Sequence, residues 1–372
     1  MIDVREIRSN PDGLREAIRL RKVDARLADL DRWLELDQTK RQLQLDIDSL
    51  NGEKKQLARL GKADPEKARE QGQRLREKGK QLEQEMNALT SQWQQILDWF
   101  PNWPHPEMPP GESEAENVEI KAWVPGSGYL DGSLLGAGEK SAAAMPRQPC
   151  HATSGNFTPL HHAEMGTMLG GVDTLQGAKV SGSRFAYLIG DVARLQYGLT
   201  QLLADELLSR GYDMVVPPLL VRERSLYGTS HFPEGRDQVY EIQSHNVEED
   251  ASLFLVGSSE PTNFSYFMDR TLHQEVLPVR IFAATSCFRS EAGSWGKDVK
   301  GIKRVHQFDK IEMNSVCAPE QSEAIYEEFS EINEWLLQTL QLPYRVVEKC
   351  TGDAGYLASH RQLDLDVWLS GS

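Results

Sequence analysis

The stretch Thr285-Ser-Cys-Phe-Arg-Ser-Glu-Ala-Gly-Ser-Trp-Gly-Lys-Asp-Val-Lys-Gly-Ile-Lys-Arg-Val-His-Gln-Phe-Asp-Lys-Ile-Glu312 decides the fold. Apolar and β-branched residues lead in at Val279, Ile281 and Phe282 and lead out at Val305, Phe308 and Ile311, while Gly293, Gly296 and Gly301 interrupt between them. The spacing predicts two strands joined by an oversized loop. That loop carries Lys297, Lys300, Lys303 and Arg304 against Asp298, a charge balance suited to a polyphosphate. Side chains two residues apart share one face of a strand, so Arg289 and Glu291 are expected on one side, as are Phe308 and Glu312 on the return strand. A guanidinium neutralises phosphoryl oxygens, a carboxylate accepts from an amine, and a ring stacks on a base. Together they describe a nucleotide site with an amine-bearing second substrate. A salt-bridged surface hairpin would use the same residue types, and the residues alone leave that alternative open.

Three pieces of this stretch, Phe288-Arg289-Ser290-Glu291-Ala292-Gly293-Ser294, Gly296-Lys297-Asp298-Val299-Lys300-Gly301 and Val305-His306-Gln307-Phe308-Asp309-Lys310-Ile311-Glu312, resemble motif 2 of the seryl-tRNA synthetases, a class II aminoacyl-tRNA synthetase family. The resemblance extends to Ile2-Asp3-Val4-Arg5, Phe100-Pro101-Asn102, Pro104-His105-Pro106, Lys179-Val180-Ser181-Gly182-Ser183-Arg184-Phe185 and Cys350-Thr351-Gly352-Asp353. It implies an α+β fold: an N-terminal antiparallel two-helix coiled-coil arm, then a class II catalytic domain with an antiparallel β-sheet flanked by helices. The implied activity is a serine–tRNA ligase that uses ATP with Mg2+, takes L-serine and tRNA(Ser), and works as a homodimer. Arg289 and Glu291 would be catalytic. Arg289, Ser290, Glu291, Val305 and Phe308 would bind ATP, and Ser258, Ser259, Glu260, Arg289 and Glu312 would surround serine. Where relatives carry Thr-Ala-Glu, this chain has Ser258-Ser259-Glu260, which keeps a hydroxyl and the acid but adds a second hydroxyl.

Composition sets the wider frame. The 372 residues suffice for two domains. Cys150, Cys287, Cys317 and Cys350 are scattered without a C-x-x-C, which argues against a disulfide framework or zinc cluster and for a reduced, cytoplasmic protein. No apolar run approaches membrane-spanning length, and the charged opening Met1-Ile2-Asp3-Val4-Arg5 does not suit a signal peptide. The net charge of −15 is unfavourable for binding nucleic acid. Its distribution answers that objection. Residues 54–80 hold ten basic and four acidic side chains, a net +6, which leaves −21 for the remainder.

That basic segment sits in a heptad pattern. Leu36, Leu43, Leu50 and Leu57 recur every seven residues, with Trp33 and Ile47 interleaved. Leu75, Leu82, Leu89 and Ile96 repeat it with Met86 and Trp93, and Gly61-Lys62-Ala63-Asp64-Pro65 between the two runs predicts a helical hairpin. A helix of some thirty residues reaches about 45–50 Å. A dimerising coiled coil or a rigid spacer would show the same heptads, but neither needs the positive end. The resemblance implies that the hairpin grips the variable arm of tRNA through Lys54, Lys55, Arg59, Arg74 and Arg76.

Asn10-Pro11 predicts a helix start within residues 1–22. The N-terminal tRNA-binding domain is placed at 1–100, a Pro-rich linker at 101–120 and the catalytic domain at 121–372. Leu134-Leu-Gly-Ala-Gly-Glu-Lys-Ser141 mimics a phosphate loop but has Glu139 where Lys belongs. His161-His162-Ala163-Glu164 reads as a helix face, and no metal site is expected. A helix from Ala186 through Leu208 and a strand from Tyr212 to Val216 resemble class II motif 1, the family's dimer interface. Leu253–Val256 reads as a strand, 320–340 as an amphipathic helix, and Tyr344–Val347 and Leu363–Trp368 as strands. The resemblance implies that metal-binding groups and the glycine-rich motif 3 lie beyond residue 372. A catalytically incomplete relative acting as a tRNA- or protein-binding module therefore stands beside the ligase as an alternative. Activation of an amino acid for another carrier is a third reading, which the basic arm disfavours.

Overall fold

The structure, a computed structural model, describes residues 2–60, 65–130, 160–243, 252–292, 301–355 and 357–369, with only the backbone of 58–60 and 65–68. The expected turn at 61–64, the phosphate-loop mimic at 134–141, Cys150, Lys297, Asp298, Lys300 and the side chain of Arg59 lie outside the described residues. Two compact units emerge, Met1–Pro106 with Ala354–His360, and Glu107–Asp353 with Arg361–Ser372.

In the first unit, α1 (Val4–Ser9) and α2 (Pro11–Leu20) break at Asn10. The Asn10 side chain accepts from the Gly13 amide at 3.0 Å and Pro11 takes the first helical position, where its missing N–H costs nothing. The arm is α3 (Leu30–Leu60) against α4 (Pro65–Leu97). The pairing is antiparallel, because Trp33 meets Trp93 at 5.4 Å near one end, while Gly79 lies against Leu50 and Gly72 against Leu57 further out. Of the heptad leucines, Leu36, Leu43, Leu50 and Leu75 are buried, each worth roughly 1.5–3 kcal/mol. At the base, Trp33 also meets Phe100 edge-on at 5.7 Å and shares one core with Ile7, Leu14 and Ile18. Asp37, buried in that base, takes a two-pronged bond from Arg8 (2.7 and 2.9 Å) and one from Trp93 at 3.2 Å. Desolvation works against its charge, but these donors hold the Asp37 carboxyl below its usual range.

The second unit runs β1 (Val118–Val124), β2 (Gly128–Tyr129), α5 (His162–Met168), β3 (Val172–Asp173), α6 (Thr174–Ser181), β4 (Tyr187–Leu188) and α7 (Asp191–Ser209). It continues with β5 (Asp213–Met214), β6 (Leu220–Arg222), α8 (Glu223–Gly228), β7 (Glu241–Ile242), β8 (Leu253–Leu255) and α9 (Glu260–Ser265). The long pair β9 (Val279–Phe288) and β10 (Gln307–Val316) follows, then α10 (Ser322–Thr339), β11 (Tyr344–Glu348) and β12 (Leu363–Val367). The sheet orders are β12-β11-β1-β2, β10-β9-β5, β6-β8-β7 and β3-β4. Among the described residues no helix is long and apolar enough to cross a membrane.

Two sequence expectations need correction. The helix expected from Ala186 begins at Asp191, because Tyr187–Leu188 pair with Val172–Asp173 and Gly190, at φ 58°, turns the chain into the helix. The strand after it is only Asp213–Met214, parallel to Ile281–Phe282 of β9.

Period-two alternation fixes which way β9 and β10 face. Phe282, Ile311 and Met313 pack with Leu207 of α7 and Phe329 and Ile332 of α10. Phe308, Lys310, Glu312 and Asn314 therefore stand on the opposite face, across from Cys287, Thr285, Ala283 and Ile281 in register. Three of those four β9 partners are small, which leaves room above the sheet.

Candidate active site

The β8 end is brought to this open face by its own core. Phe254 and Val256 pack with Val221, Leu226 and Phe232, and the Val256 carbonyl accepts from the Phe288 amide at 2.8 Å. Gly257 and Ser258 consequently arrive beside Arg289. The Arg289 Nε donates to the Gly257 carbonyl at 3.0 Å, and a Cβ at Gly257 would stand 3.3 Å from Arg289 Cγ, so the guanidinium stem lies close along that backbone. The Arg289 guanidinium carbon sits 5.4 Å from the Phe308 ring centroid.

The strand ladder continues past its ends, with the Arg289 amide donating to the His306 carbonyl at 3.0 Å and His306 Nδ1 meeting the Arg289 carbonyl at 2.9 Å. Beyond Arg289 the chain is not extended, contrary to the sequence reading. Ser290 donates through its amide to the Gln238 carbonyl at 2.9 Å and through its hydroxyl to the Asp237 carbonyl, and Glu291 turns with φ 51°. Arg289 and Glu291 nevertheless line one cleft of about 650 Å³, with His231, Gln238, Arg304 and Phe308. Val305 and Gly257 line it too. The Glu291 carboxylate pairs with Arg304 at 3.2 Å and its carbonyl accepts from Arg184 at 3.3 Å. Ser290 holds the wall through its backbone partners.

Next to the cleft lies a half-buried charged cluster. Ser258 donates to Glu312 Oε2 at 3.1 Å, Lys310 Nζ donates to Ser258 Oγ at 2.9 Å, and Lys310 also pairs with Glu312. Glu260 opens α9, its Oε2 buried without a hydrogen-bond partner and 4.0 Å from His231 Nε2. Burial alone would raise the Glu260 carboxyl, but the Lys310 ammonium, Ser258 and His231 hold it below its usual range. Burial and the neighbouring Glu260 charge raise Glu312 despite Lys310. Burial likewise pushes the His231 imidazole down, so it is neutral near pH 7. Ser259 is fully buried and points into the scaffold, where the Asn263 amide reaches it at 3.4 Å and Asn314 at 2.7 Å. The structure thus joins Ser258 and Glu312 directly through Lys310, sets Glu260 beside them, and leaves Ser259 buried in the scaffold.

The N-terminal portion, residues 1–104, matches the profile of the seryl-tRNA synthetase N-terminal domain, and residues 240–372 match the tRNA synthetase class II core domain (G, H, P, S and T). The serine–tRNA ligase of Synechococcus sp. (strain JA-3-3Ab) is 36% identical across 99% of this chain and 79% of its own length. That of Rubrobacter xylanophilus is 34% identical across 100% and 80%. The chain belongs to the seryl-tRNA synthetase family. Among solved structures, a Pyrococcus horikoshii seryl-tRNA synthetase complexed with ATP superposes with a TM-score of 0.82 at 31% identity, covering 100% of this chain and 81% of that one.

Within this seryl-tRNA synthetase fold, the sequence reading missed Lys310, His231, Gln238 and the Arg304–Glu291 pair. Lys310 was findable, since it lies midway between Phe308 and Glu312 on the same alternation. His231, Gln238 and the partner of Glu291 carry no local signal, because tertiary packing alone brings them to the cleft. Of the candidate tRNA contacts, Lys55, Arg74 and Arg76 are exposed and Lys54 is half-buried. The register that sets Gly79 on Leu50 and Gly72 on Leu57 brings Lys54 and Lys55 level with Arg74 and Arg76. Among the described residues no group of three His, Cys, Asp or Glu side chains could hold a metal. His161 instead accepts from the Ala163 amide at 3.2 Å, and His162 Nε2 accepts from the Ile302 amide at 3.3 Å.

Proposed function

We propose that this protein activates L-serine with ATP and transfers the seryl group to tRNA(Ser) in the cytoplasm. The observation that carries this reading is the abutment of the Arg289–Phe308–Glu291 cleft on the Ser258–Glu260–Glu312 cluster, joined through Gly257. A serine carboxylate oxygen attacks the α-phosphorus and the bond to the β-phosphate bridge breaks, releasing pyrophosphate and leaving seryl-adenylate. A ribose hydroxyl of the tRNA then attacks the seryl carbonyl carbon, and AMP departs with the bonding pair. The reactants bring their own nucleophiles, so positioning and charge neutralisation supply the catalysis.

Arg289 bridges the serine carboxylate and the α-phosphate, with its Nε anchored on Gly257. Phe308 stacks on the adenine, Val305 meets the nucleotide through its backbone, and Ser290 fixes the wall from which Glu291 accepts from the adenine amine. Arg304 must then give up Glu291 and turn its guanidinium toward the phosphates. Glu312 and Glu260 receive the serine ammonium and hydroxyl, with Ser258 between them. Mg2+ would travel on the ATP phosphates. Among the described residues no group of three His, Cys, Asp or Glu side chains would hold it.

A homodimer is part of the same reading. Leu195 (61% exposed) and Tyr197 (76%) on α7 and Val216 (89%) after β5 leave an apolar surface on the region that resembles motif 1. Light scattering is expected to return twice the chain mass, and a monomer at micromolar concentration would remove this element. The activity itself is tested by serine-dependent ATP–pyrophosphate exchange followed by tRNA charging. Exchange with serine well above that with threonine or alanine, and charging of tRNA(Ser), are the expected results. Binding of tRNA without exchange would instead identify a non-catalytic module.

A further inference from the structure

Among the described residues, Lys310 is a cation in contact with Ser258 and Glu312 that the proposed chemistry leaves unused. It rises from β10 between Phe308 and Glu312 and faces Thr285 in register. Its ammonium donates to Ser258 Oγ at 2.9 Å and pairs with Glu312 Oε2, the same oxygen that accepts from Ser258 at 3.1 Å. From α9, Glu260 lies beside this group with Oε2 buried without a hydrogen-bond partner and 4.0 Å from His231 Nε2, and the Lys310 charge opposes the desolvation that raises its carboxyl. The other titratable or charged groups facing the cluster do not replace it. His231, from the segment after α8, is kept neutral by burial, and the buried Cys287 thiol on β9 is pushed up. Arg289 is engaged with the Gly257 carbonyl and the Phe308 ring.

Two carboxylates sharing a desolvated site cannot both stay charged unless a cation is at hand, and a substrate ammonium needs them charged on arrival. Lys310 occupies the carboxylate edge that the ammonium would approach, and its flexible stem allows it to retreat along β10 toward Thr285. We propose that Lys310 is a positioning residue, the built-in counter-charge that keeps the Glu260–Glu312 pair anionic ahead of the amino acid without itself holding the substrate. This rests on the reading of the cluster as the amino-acid pocket.

In Lys310→Met the pair retains a proton to higher pH. A carboxyl whose pKa is raised is protonated below that value and ionised above it, so the defect must shrink as pH rises. A carboxyl that titrates about one pH unit higher has an ionised fraction up to about tenfold smaller at a given pH. In the exchange assay, the rise in KM for serine is expected to be largest at the acid end of the profile, up to about tenfold, and to shrink to within about twofold of the unaltered protein as pH climbs past the shifted titration, with KM for ATP unchanged. Lys310→Arg keeps the charge and is expected to keep the original profile.

Glutamate 13C-carboxyl resonances follow the same event without substrate, so they report on Lys310 even if serine-dependent exchange is absent altogether. The Glu260 resonance is expected to titrate at least about one pH unit higher in Lys310→Met than in the unaltered protein. Lys310→Gln, which keeps a polar partner for Ser258, carries the same expectations should the methionine variant melt early. A KM defect equal at every pH, or a Glu260 titration that does not move, would overturn the proposal and make Lys310 a direct substrate contact or a packing element.

Discussion

Arg289→Ala is expected to lower serine-dependent ATP–pyrophosphate exchange by about 10²–10³-fold while leaving the dissociation constant for tRNA within about twofold. The size follows from what the side chain does at once. Its guanidinium is aimed by a 3.0 Å bond to the Gly257 carbonyl and lies 5.4 Å from the Phe308 ring, so its positive charge is preorganised at the place where the proposed reaction would bring the α-phosphate and the serine carboxylate together. Truncation removes charge stabilisation that matters most as the pentacoordinate phosphorus forms, so kcat falls more than the KM for ATP. Lys cannot replace it well, because a point charge does not span two oxygens in one plane. Equal losses in exchange and in tRNA binding would mean that the substitution disturbs the whole unit.

The second large effect belongs to the arm. Neutralising Lys54, Lys55, Arg74 and Arg76 together is expected to weaken tRNA binding by about 10²-fold or more at low salt and to flatten the salt dependence of log Kd by about three to four units of slope. Exchange, which needs no tRNA, is expected to stay near its original rate. The four side chains lie level with one another on paired helices, three exposed and one half-buried, on a protein whose net charge is −15. A polyanion is therefore attracted there and repelled elsewhere. Loss of tRNA affinity without a change in salt slope would assign the arm a contact other than phosphate.

Much of this architecture was legible in residue order. Leucines at 36, 43, 50 and 57 with Trp33, answered by Leu75, Leu82, Leu89 and Ile96, leave few packings other than a helical hairpin, and α3 and α4 pair that way. The β9–β10 pair followed equally from its apolar flanks. Misreadings arose where one residue escapes its local pattern. Ala186 looked helical because the apolar period continues through it, yet Gly190 with a positive φ starts the helix five residues later. Arg289 and Glu291 were expected on one face by strand alternation. They reach one cleft instead because Ser290 is pulled to the 237–238 backbone and Glu291 turns. Ser259 counted among the candidate serine contacts, but it is the residue just before α9 and its buried hydroxyl faces Asn263. Lys310 was overlooked although alternation points to it, since a lysine between an aromatic and an acid on a strand usually reads as solvated.

ATP and serine are expected to meet where the β9–β10 hairpin faces the end of β8. A crystal structure with a non-hydrolysable seryl-adenylate analogue tests it most directly. The adenine is expected against Phe308 with its amine at Glu291, the phosphate mimic on Arg289, and the seryl ammonium between Glu260 and Glu312. An analogue lodged elsewhere, or one whose seryl group points away from Glu312, would contradict it.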